Sequence, residues 1–547
     1  MSSYLKKLLR YYHTIKHLKL MQIYGQLIYR FKKTKVSQTK SPPQRACISS
    51  WVQPILKLSK FNEPNKVIFL NQERDITEKT IWTDPNIDRL WLYNLHYFDI
   101  INSSSKITFH KMLIERWIAE NSVAKGCGWE SYPISLRIVN WIKWSLAGNE
   151  LTSVMLYSLV IQIRYLYQRI EIHLFGNHLL ANAKALVFAG LFFEGKEAER
   201  WFRKGLKLFR RELSEQILTD GGHFELSPMY HSIILEYLLD LINIFNTYER
   251  MLPLAWLQVC KKMFFWLENM CHFDNDIAFF NDATLGVSPT LSELKDYQQR
   301  LKLLLYSHQN DRMKILSHLS DSGYCRMQYN KFLLLADVAN VGASYQPGHG
   351  HADTLSFELS VEKYRLIVNS GVSSYEENDE RLRQRGSKAH NTLVIDDLDS
   401  SEIWKSFRVA RRANVKNIIM HESHDELLLK AMHDGYARLN NIYHYRTWKV
   451  HENEILIEDN VSGSGFHKIE LIFHIHPDIR INQQDDRSVI LYTPSNEVAV
   501  FLKINAILHI LKSTYHPEFN TSIPNSKIVV ELKQHLPLCL STFIKII

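Results

Sequence analysis

Cysteine is scarce in this chain: its 547 residues include six, which are scattered and form no Cys-x-x-Cys pair. This scarcity argues against a disulfide framework and against a zinc site built from cysteines. Uninterrupted apolar runs of membrane-spanning length are also missing, and charges interrupt every early apolar run, so no export signal is evident. No recognised nucleic-acid-binding motif occurs, and we expect no nucleic-acid partner.

Acidic residues are missing from the first 62 positions, which carry thirteen Lys or Arg. The remainder holds 53 basic and 57 acidic side chains, so the net charge of +9 comes from the N-terminal end. We treat residues 1–50 as a basic N-terminal arm. Its early apolar residues indicate either an amphipathic helix for peripheral contact with an anionic membrane or polyanion, or a helix docked on the body with a solvated basic face. These residues recur at roughly helical spacing: Leu5, Leu8, Leu9, Tyr12 and Ile15.

Helix-length apolar patterns dominate up to about residue 315, and short β-rich runs dominate after it. Helices and strands segregated in this way predict an α region followed by a β region, and not a βαβ sheet. We expect domains at 51–315 and 316–547. The predicted helices cover 107–120, 134–147, 151–172, 178–193, 197–217, 229–248, 253–270 and 290–306. The predicted strands cover 331–338, 354–360, 364–369, 391–396, 427–432, 442–450, 454–461, 469–475, 487–492, 497–505 and 527–532.

Two histidines stand two residues apart in a glycine-punctuated turn, Pro347-Gly348-His349-Gly350-His351, at the start of a predicted strand. Residues i and i+2 of an extended chain point to the same face, so His349 and His351 can share one site. One can perform proton chemistry while the other holds a metal. The alternative is a turn whose histidines only form hydrogen bonds.

Polar residues also open two strongly apolar helices. Asn177 and His178 lie at the start of one, where an Asn is commonly a helix cap. Tyr230 and His231 lie in the first turn of another, where a Tyr is commonly a buried anchor. A basic group follows the His-rich turn, and it is either solvated or suited to a polyanionic substrate. Its members are Arg381, Arg383, Arg385, Arg408, Arg411 and Arg412.

In these motifs the chain resembles the heparinase II/III family of polysaccharide lyases. The resemblance is ordered and runs from about residue 5 to about residue 545. It implies an N-terminal incomplete (α/α) toroid followed by a C-terminal antiparallel β-sandwich. The matching segments are 91–97, 128–133, 176–183, 227–231, 349–357 and 390–393.

The resemblance implies β-elimination at a uronic acid, in which a weakly acidic C5 proton is removed and the C4 oxygen leaves. Asn177 matches the family's carboxylate-binding amide, Tyr230 its catalytic tyrosine and His349 its catalytic histidine. Which of Tyr230 and His349 is the base stays open. Further residues are expected to contact the substrate: His96, Trp129, Arg137, His178, His231 and Arg385.

The resemblance further implies a structural divalent metal, zinc or calcium, held by His351, residue 369 and His390, with no organic cofactor. The family usually has Asp at the second position, where this chain has Asn369. A neutral amide oxygen is a poorer zinc ligand than a carboxylate, so this departure weakens the expected site.

Two other functions stay open. One is a non-catalytic polysaccharide-binding or assembly protein on a lyase scaffold, acting in capsule or O-polysaccharide biosynthesis. The other is a metal-dependent hydrolase that uses His349 and His351 as ligands. The resemblance to members associated with surface polysaccharides favours a bacterial capsule or O-polysaccharide as substrate. The family resemblance implies the cell envelope or periplasm, while the missing export signal keeps a cytoplasmic location open. The sequence also leaves the oligomeric state open.

Overall fold

The computed structural model describes residues 3–32, 34–57, 61–63, 65–103, 107–304 and 314–547. Helices fill most of the described chain up to Arg300, and strands dominate from Lys314 onward. This change confirms the predicted α-then-β order. The helices are α1 Ser3–Ile15, α2 Leu20–Phe31, α3 Arg89–Tyr97, α4 Ile107–Glu120, α5 Ser131–Leu146, α6 Ser153–Gln168, α7 Gly176–Phe192, α8 Gly195–Gln216, α9 Pro228–Thr247, α10 Leu254–Asn269, α11 Leu291–Arg300 and α12 Asp379–Arg385.

All eight predicted helices are present, although residues 305 and 306 of the last one lie outside the described residues. Helix α7 is buried along nearly its whole length because α5, α8 and α9 pack around it. Gly205 of α8 permits this close packing, since a Cβ there would lie 2.8 Å from Leu186 Cβ. The N-terminus of helix α9 is well defined because Ser227 caps it and Pro228 occupies its first turn.

The strands form two large antiparallel sheets. One has the order β12-β13-β14-β15-β22-β19-β18-β17, and the other β20-β21-β16-β8-β7-β6-β5-β4, with β9 beside β16. A three-stranded sheet (β1–β3) and a short hairpin (β10–β11) lie apart from them. The strands are β1 Phe61–Glu63, β2 Lys66–Phe69, β3 Gln72–Asp75, β4 Lys314–Leu319, β5 Tyr324–Tyr329, β6 Phe332–Asp337, β7 Phe357–Val361, β8 Tyr364–Ile367, β9 Leu393–Ile395, β10 Ile403–Trp404, β11 Arg408–Val409, β12 Val415–Glu422, β13 Leu427–His433, β14 Tyr443–Val450, β15 Glu454–Ser462, β16 Phe466–Ile475, β17 Arg480–Gln483, β18 Ser488–Tyr492, β19 Ala499–Ile504, β20 His509–Tyr515, β21 Ile523–His535 and β22 Leu538–Ile546.

Side chains from both large sheets share one apolar core, so the two sheets form a β-sandwich. Leu334 and Phe357 enter this core from one sheet, and Trp448 and Ile457 enter it from the other. The helices have their own core, in which Trp, Phe and Leu side chains of α3 to α11 pack together. The cavity described below lies where the helical and strand regions meet.

The arm helices α1 and α2 dock on both regions. Arg10 of α1 pairs with Glu402, and Trp404 donates its indole N–H to Thr14. On α2, Gln22 donates to the backbone carbonyl of Tyr345. Within the described ranges, no helix combines the length and apolarity that a bilayer crossing would need.

Candidate active site

A cavity of about 1360 Å³ opens between the helical and strand regions. Helices α5, α7 and α9 form its base, and loops 344–349 and 405–408 form its opposite wall. Four of the residues predicted for the site line it: Asn177, His178, Tyr230 and His349. The structure therefore brings together side chains that are up to 172 positions apart in the sequence.

His349 is oriented by a buried carboxylate that the sequence analysis did not identify. Its Nδ1 lies 2.7 Å from Asp282 Oδ2. Burial alone would raise the pKa of Asp282, but the Arg381 charge and hydrogen bonds from His349 and His351 hold that pKa well below its usual range. Because Asp282 is therefore a carboxylate, His349 donates from Nδ1 and keeps Nε2 available as a proton acceptor.

Asp282 also anchors the rest of the His-rich turn. Arg381 donates to it from two guanidinium nitrogens, one at 2.7 Å, and His351 Nε2 lies 2.8 Å from its second oxygen. Asp282, Arg381 and His351 are almost completely buried. Because every polar atom of this carboxylate has a partner, the imidazole of His349 is held in one orientation.

Tyr230 lies beside His349, with ring centroids 4.1 Å apart. The capping bond from Ser227 fixes the first turn of α9, which carries Tyr230. Its hydroxyl lies 3.2 Å from the hydroxyl of Tyr375. Burial, and after it the neighbouring Tyr375, raises the pKa of Tyr230 well above its usual value. Tyr230 is thus a neutral phenol that can donate a proton.

Asn177 does not cap a helix, which corrects one of the two interpretations of this residue. Helix α7 begins at Gly176, and the capping position is Phe175, which makes no side-chain capping bond. The buried Oδ1 of Asn177 has no hydrogen-bond partner among the described residues. Gly176 has φ +55°, and a Cβ there would lie 2.4 Å from Glu225 Oε1. This glycine therefore allows the start of α7 to approach Glu225.

Glu225 is a second acidic residue that the sequence analysis missed. It is buried, and its Oε2 lies 3.9 Å from His349 Nε2. Among the described residues, its carboxyl oxygens make no well-formed hydrogen bond, although the backbone N–H of Asn177 is close enough to act on the carboxyl group. Burial raises the pKa of Glu225 above its usual value. A carboxyl group with these properties, next to a proposed proton acceptor, is typical of a functional site.

The cavity also carries cations suited to an acidic ligand. His178 stacks on Tyr132 with ring centroids 4.3 Å apart, and its Nδ1 lies 3.3 Å from Glu171. Burial lowers the pKa of His178, but the charge of Glu171 outweighs it, and the net shift is upward. Lys405 and Arg408 belong to the opposite wall. Four members of the predicted basic group do not line the cavity: Arg381 binds Asp282, Arg383 pairs with Glu380, Arg385 donates to the Gly350 carbonyl, and Arg411 pairs with Glu402.

Three expected substrate contacts are corrected, because the structure buries them in the helical core. His96 has no exposed surface; it accepts from the Trp117 indole, and burial lowers its pKa to about 3. Arg137 stacks on the Trp117 ring and donates to Gln162. Trp129 packs edge to face on Tyr165 and is 4% exposed. They support the cavity wall and do not face the cavity.

Two further expected contacts are corrected in the same way. His231 is fully buried, stacks on Trp266, and its Nε2 bonds the Met263 carbonyl. Arg385 is also fully buried, and it donates to the carbonyl of Gly350 between the two histidines of the turn. Arg385 therefore positions the turn from behind and does not reach a ligand.

A buried cluster behind the turn fits a metal ion. His351, Asp353 and His390 each offer a ligand atom, and these atoms lie within 4.8 Å of one another. His351 Nδ1 and His390 Nε2 are 3.3 Å apart, which is about the separation of two nitrogens on a tetrahedral zinc. Burial lowers the pKa of both histidines, so they are in the neutral form that binds metals.

The predicted ligand set changes accordingly. The acidic residue in this cluster is Asp353, which the sequence analysis did not assign, and burial raises its pKa. The Asn369 amide donates to the Phe279 carbonyl and lies 3.4 Å from the Asn391 amide. Bound at the cluster, a metal would supply a fixed positive charge that holds the strand following the turn.

The (α/α) toroid and the antiparallel β-sandwich, which meet at this cavity, define the structural class of the protein. A solved structure, a crystal structure of heparinase III, matches with a TM-score of 0.68 at 19% identity, covering 84% of this chain and 76% of that one. This match confirms the predicted toroid-and-sandwich fold. Two family models match consecutive parts of the chain: Heparinase II/III N-terminus at 105–310, and Heparinase II/III-like, C-terminal at 311–541. The chain belongs to the heparinase II/III-like family.

Curated relatives show two different names. A heparin-sulfate lyase of Bacteroides stercoris is 28% identical over 247 residues, which are 42% of this chain and 37% of the relative. The match thus spans little more than a third of that relative's length. FtsZ-localized protein C of Caulobacter vibrioides is 24% identical over 366 residues, which are 62% of this chain and 60% of that protein.

Proposed function

We propose that this protein cleaves a uronic-acid-containing polysaccharide by β-elimination. The observation that carries the proposal is the arrangement of Asn177, Tyr230 and His349 around one cavity, with Asp282 fixing the imidazole. These are the groups that elimination requires: a ligand for the carboxylate, a proton acceptor and a proton donor. Membership of a family that contains heparin-sulfate lyases supports the same reaction class.

The proposed roles follow from the proton positions. His349 Nε2 takes the C5 proton, since Nδ1 donates to Asp282. The electrons of the C5–H bond form the C4=C5 double bond, and the C4–O bond breaks. Tyr230 then gives its phenolic proton to the leaving oxygen, in keeping with its raised pKa. The carboxamide of Asn177 and the imidazole of His178, whose pKa is shifted upward, offset the charge that develops on the carboxylate.

The proposed substrate is a bacterial surface polysaccharide that contains uronic acid, and the proposed location is the cell envelope. The cationic groups at the cavity support an acidic glycan. A zinc or calcium ion at His351, Asp353 and His390 is proposed as a structural element only. The Caulobacter relative, whose name is not that of a lyase, favours a second candidate: a non-catalytic polysaccharide-binding or assembly protein.

Replacing one phenol oxygen tests the catalytic proposal. Tyr230→Phe should abolish formation of the unsaturated product while binding of the glycan persists. Tyr436→Phe is the matched control, because Tyr436 is also buried and its hydroxyl bonds a carbonyl in the β-sandwich. The control should keep the wild-type rate. A Tyr230→Phe protein with near wild-type rate would remove this residue from the mechanism.

A further inference from the structure

The arm helices α1 and α2 carry apolar stripes on the side that faces solvent. On α1 the stripe repeats at intervals of four, four and three residues, and on α2 at four, three and four, as expected for one face of a helix. Tyr4 is 72% exposed, Leu20 84% and Phe31 73%. The stripe residues, all exposed, are Tyr4, Leu8, Tyr12 and Ile15 on α1, and Leu20, Tyr24, Leu27 and Phe31 on α2.

The opposite face of each helix binds the protein. On α2, Gln22 and Gly25 are buried, and Tyr29 packs on His173 with ring centroids 4.4 Å apart. At 100° per residue these positions lie on the other side of the helix from Leu20 and Phe31. The Cβ of an added side chain at Gly25 would lie 3.1 Å from His173 Cβ, so this face is tightly seated.

Helix α1 has the same organisation. Arg10 pairs with Glu402, and Thr14 accepts from Trp404. These two residues lie about half a turn away from Tyr12 and Leu8. Both helices are thus already fixed to the body by one face, and the apolar stripe is not the surface that holds them there. An apolar stripe that remains outside a docked helix marks an interaction surface.

The positive charge of the arm indicates an anionic partner. Residues 1–62 contain thirteen cations and no acidic residue. Three exposed cations flank the stripes, Lys7, Lys16 and Arg30, while the ammonium of Lys32 donates to the Gln168 carbonyl. Apolar side chains flanked by Lys and Arg on an amphipathic helix match the boundary between anionic headgroups and acyl chains. With 13 and 12 residues, the helices are about 20 and 18 Å long, too short to cross a bilayer core of about 30 Å.

We propose that the arm helices dock on an anionic lipid bilayer and lie in the plane of its surface. The stripes enter the interface while the flanking cations contact headgroups. Thr14, His17 and Gln22 of the arm also line the cavity, as does Leu27 at the edge of the α2 stripe, so docking holds the mouth of the cavity close to the membrane surface. This proposal stands independently of the lyase reaction.

Vesicle flotation with the full chain tests the proposal. The wild-type protein should float with vesicles of phosphatidylglycerol and phosphatidylcholine, and much less with pure phosphatidylcholine. Leu20→Ser with Phe31→Ser should weaken binding about 100-fold, at about tenfold for each buried side chain lost. The matched control is Met251→Ser with Leu254→Ser, two side chains that are 93% and 81% exposed on the helical body. The control should bind like wild type.

A second pair of variants tests the charge. Lys7→Gln with Arg30→Gln should reduce binding to anionic vesicles about 25-fold, at about fivefold for each charge. Lys430→Gln with Lys512→Gln, two exposed cations of the β-sandwich, should have no effect. Failure of the wild type to float with anionic vesicles overturns the proposal. So does a dimer in sedimentation velocity that the Leu20 and Phe31 variant loses, since the stripe would then join two copies.

Discussion

Asp282→Asn is the most informative substitution, because the carboxylate of Asp282 accepts hydrogen bonds from three side chains. In the wild type it accepts from His349, His351 and Arg381, and it is fully buried. The amide keeps the shape of the carboxylate but removes its charge. It also can donate an N–H toward Nδ1 of His349, which would move the imidazole proton to Nε2.

Asp282→Asn should lower both the unfolding free energy and the elimination rate. Removing one partner of a buried ion pair leaves the Arg381 charge uncompensated, which costs about 3–5 kcal/mol of unfolding free energy. The wrong tautomer of His349 should lower the elimination rate about 10⁴-fold, the size seen when a buried aspartate that orients a catalytic histidine is replaced by Asn. The pKa of Asp282 is held low, so its stabilisation is present above the usual carboxyl pKa and is lost as the pH falls through the folded value.

The chain offers a matched control for this experiment. Asp459 is also fully buried, accepts from Arg446 at 2.7 Å and from His444 at 2.6 Å, and lies in the β-sandwich outside the cavity. Asp459→Asn should lose a similar unfolding free energy but keep its rate. Both variants are compared by urea unfolding and by initial rates well below their melting temperatures. Equal rate losses in the two variants would refute the orienting role of Asp282.

Three further outcomes are expected. Asn177→Ala should lower the elimination rate by about two to three orders of magnitude with an unchanged melting temperature, because the residue caps no helix; rates and thermal melts decide this. The affinity of the Tyr230→Phe protein for the glycan should fall as the pH rises through the raised pKa of His178, and calorimetry should show that His178→Gln removes this dependence. His390→Ala should lower metal content and melting temperature together; elemental analysis showing unchanged metal would exclude the cluster.

Most helices and most interior strands could be predicted because burial leaves a period in the sequence, although the interior strands β5 and β22 were not predicted. The range 107–120 coincides with α4 for this reason. All four edge strands of the two large sheets, β12, β17, β4 and β20, were missed. Six of the eight residues of Val415–Glu422 (β12) are exposed, so the strand carries no apolar alternation and depends on pairing with β13.

The site was predictable only where its residues lie in local motifs. His349 and Tyr230 stand in such motifs, whereas Asp282 lies 67 positions before His349 and Arg381 lies 99 positions after Asp282. Asn281 and Asp282 end the apolar run 277–282, and this polar pair was the one sequence signal available for Asp282. Arg137 was misassigned because a sequence does not show that neighbouring carbonyls satisfy a buried guanidinium.

Elimination at a uronic acid leaves an unsaturated product, and detection of this product is the decisive experiment. The purified full chain is incubated with heparan sulfate, alginate, hyaluronan and bacterial capsular polysaccharides, and ultraviolet absorbance and product mass are recorded. At least one uronate polymer should give an unsaturated product whose mass includes no added water. A product that carries the mass of water, or a polymer that binds at the cavity of the wild type and is never cleaved, would contradict the proposed elimination.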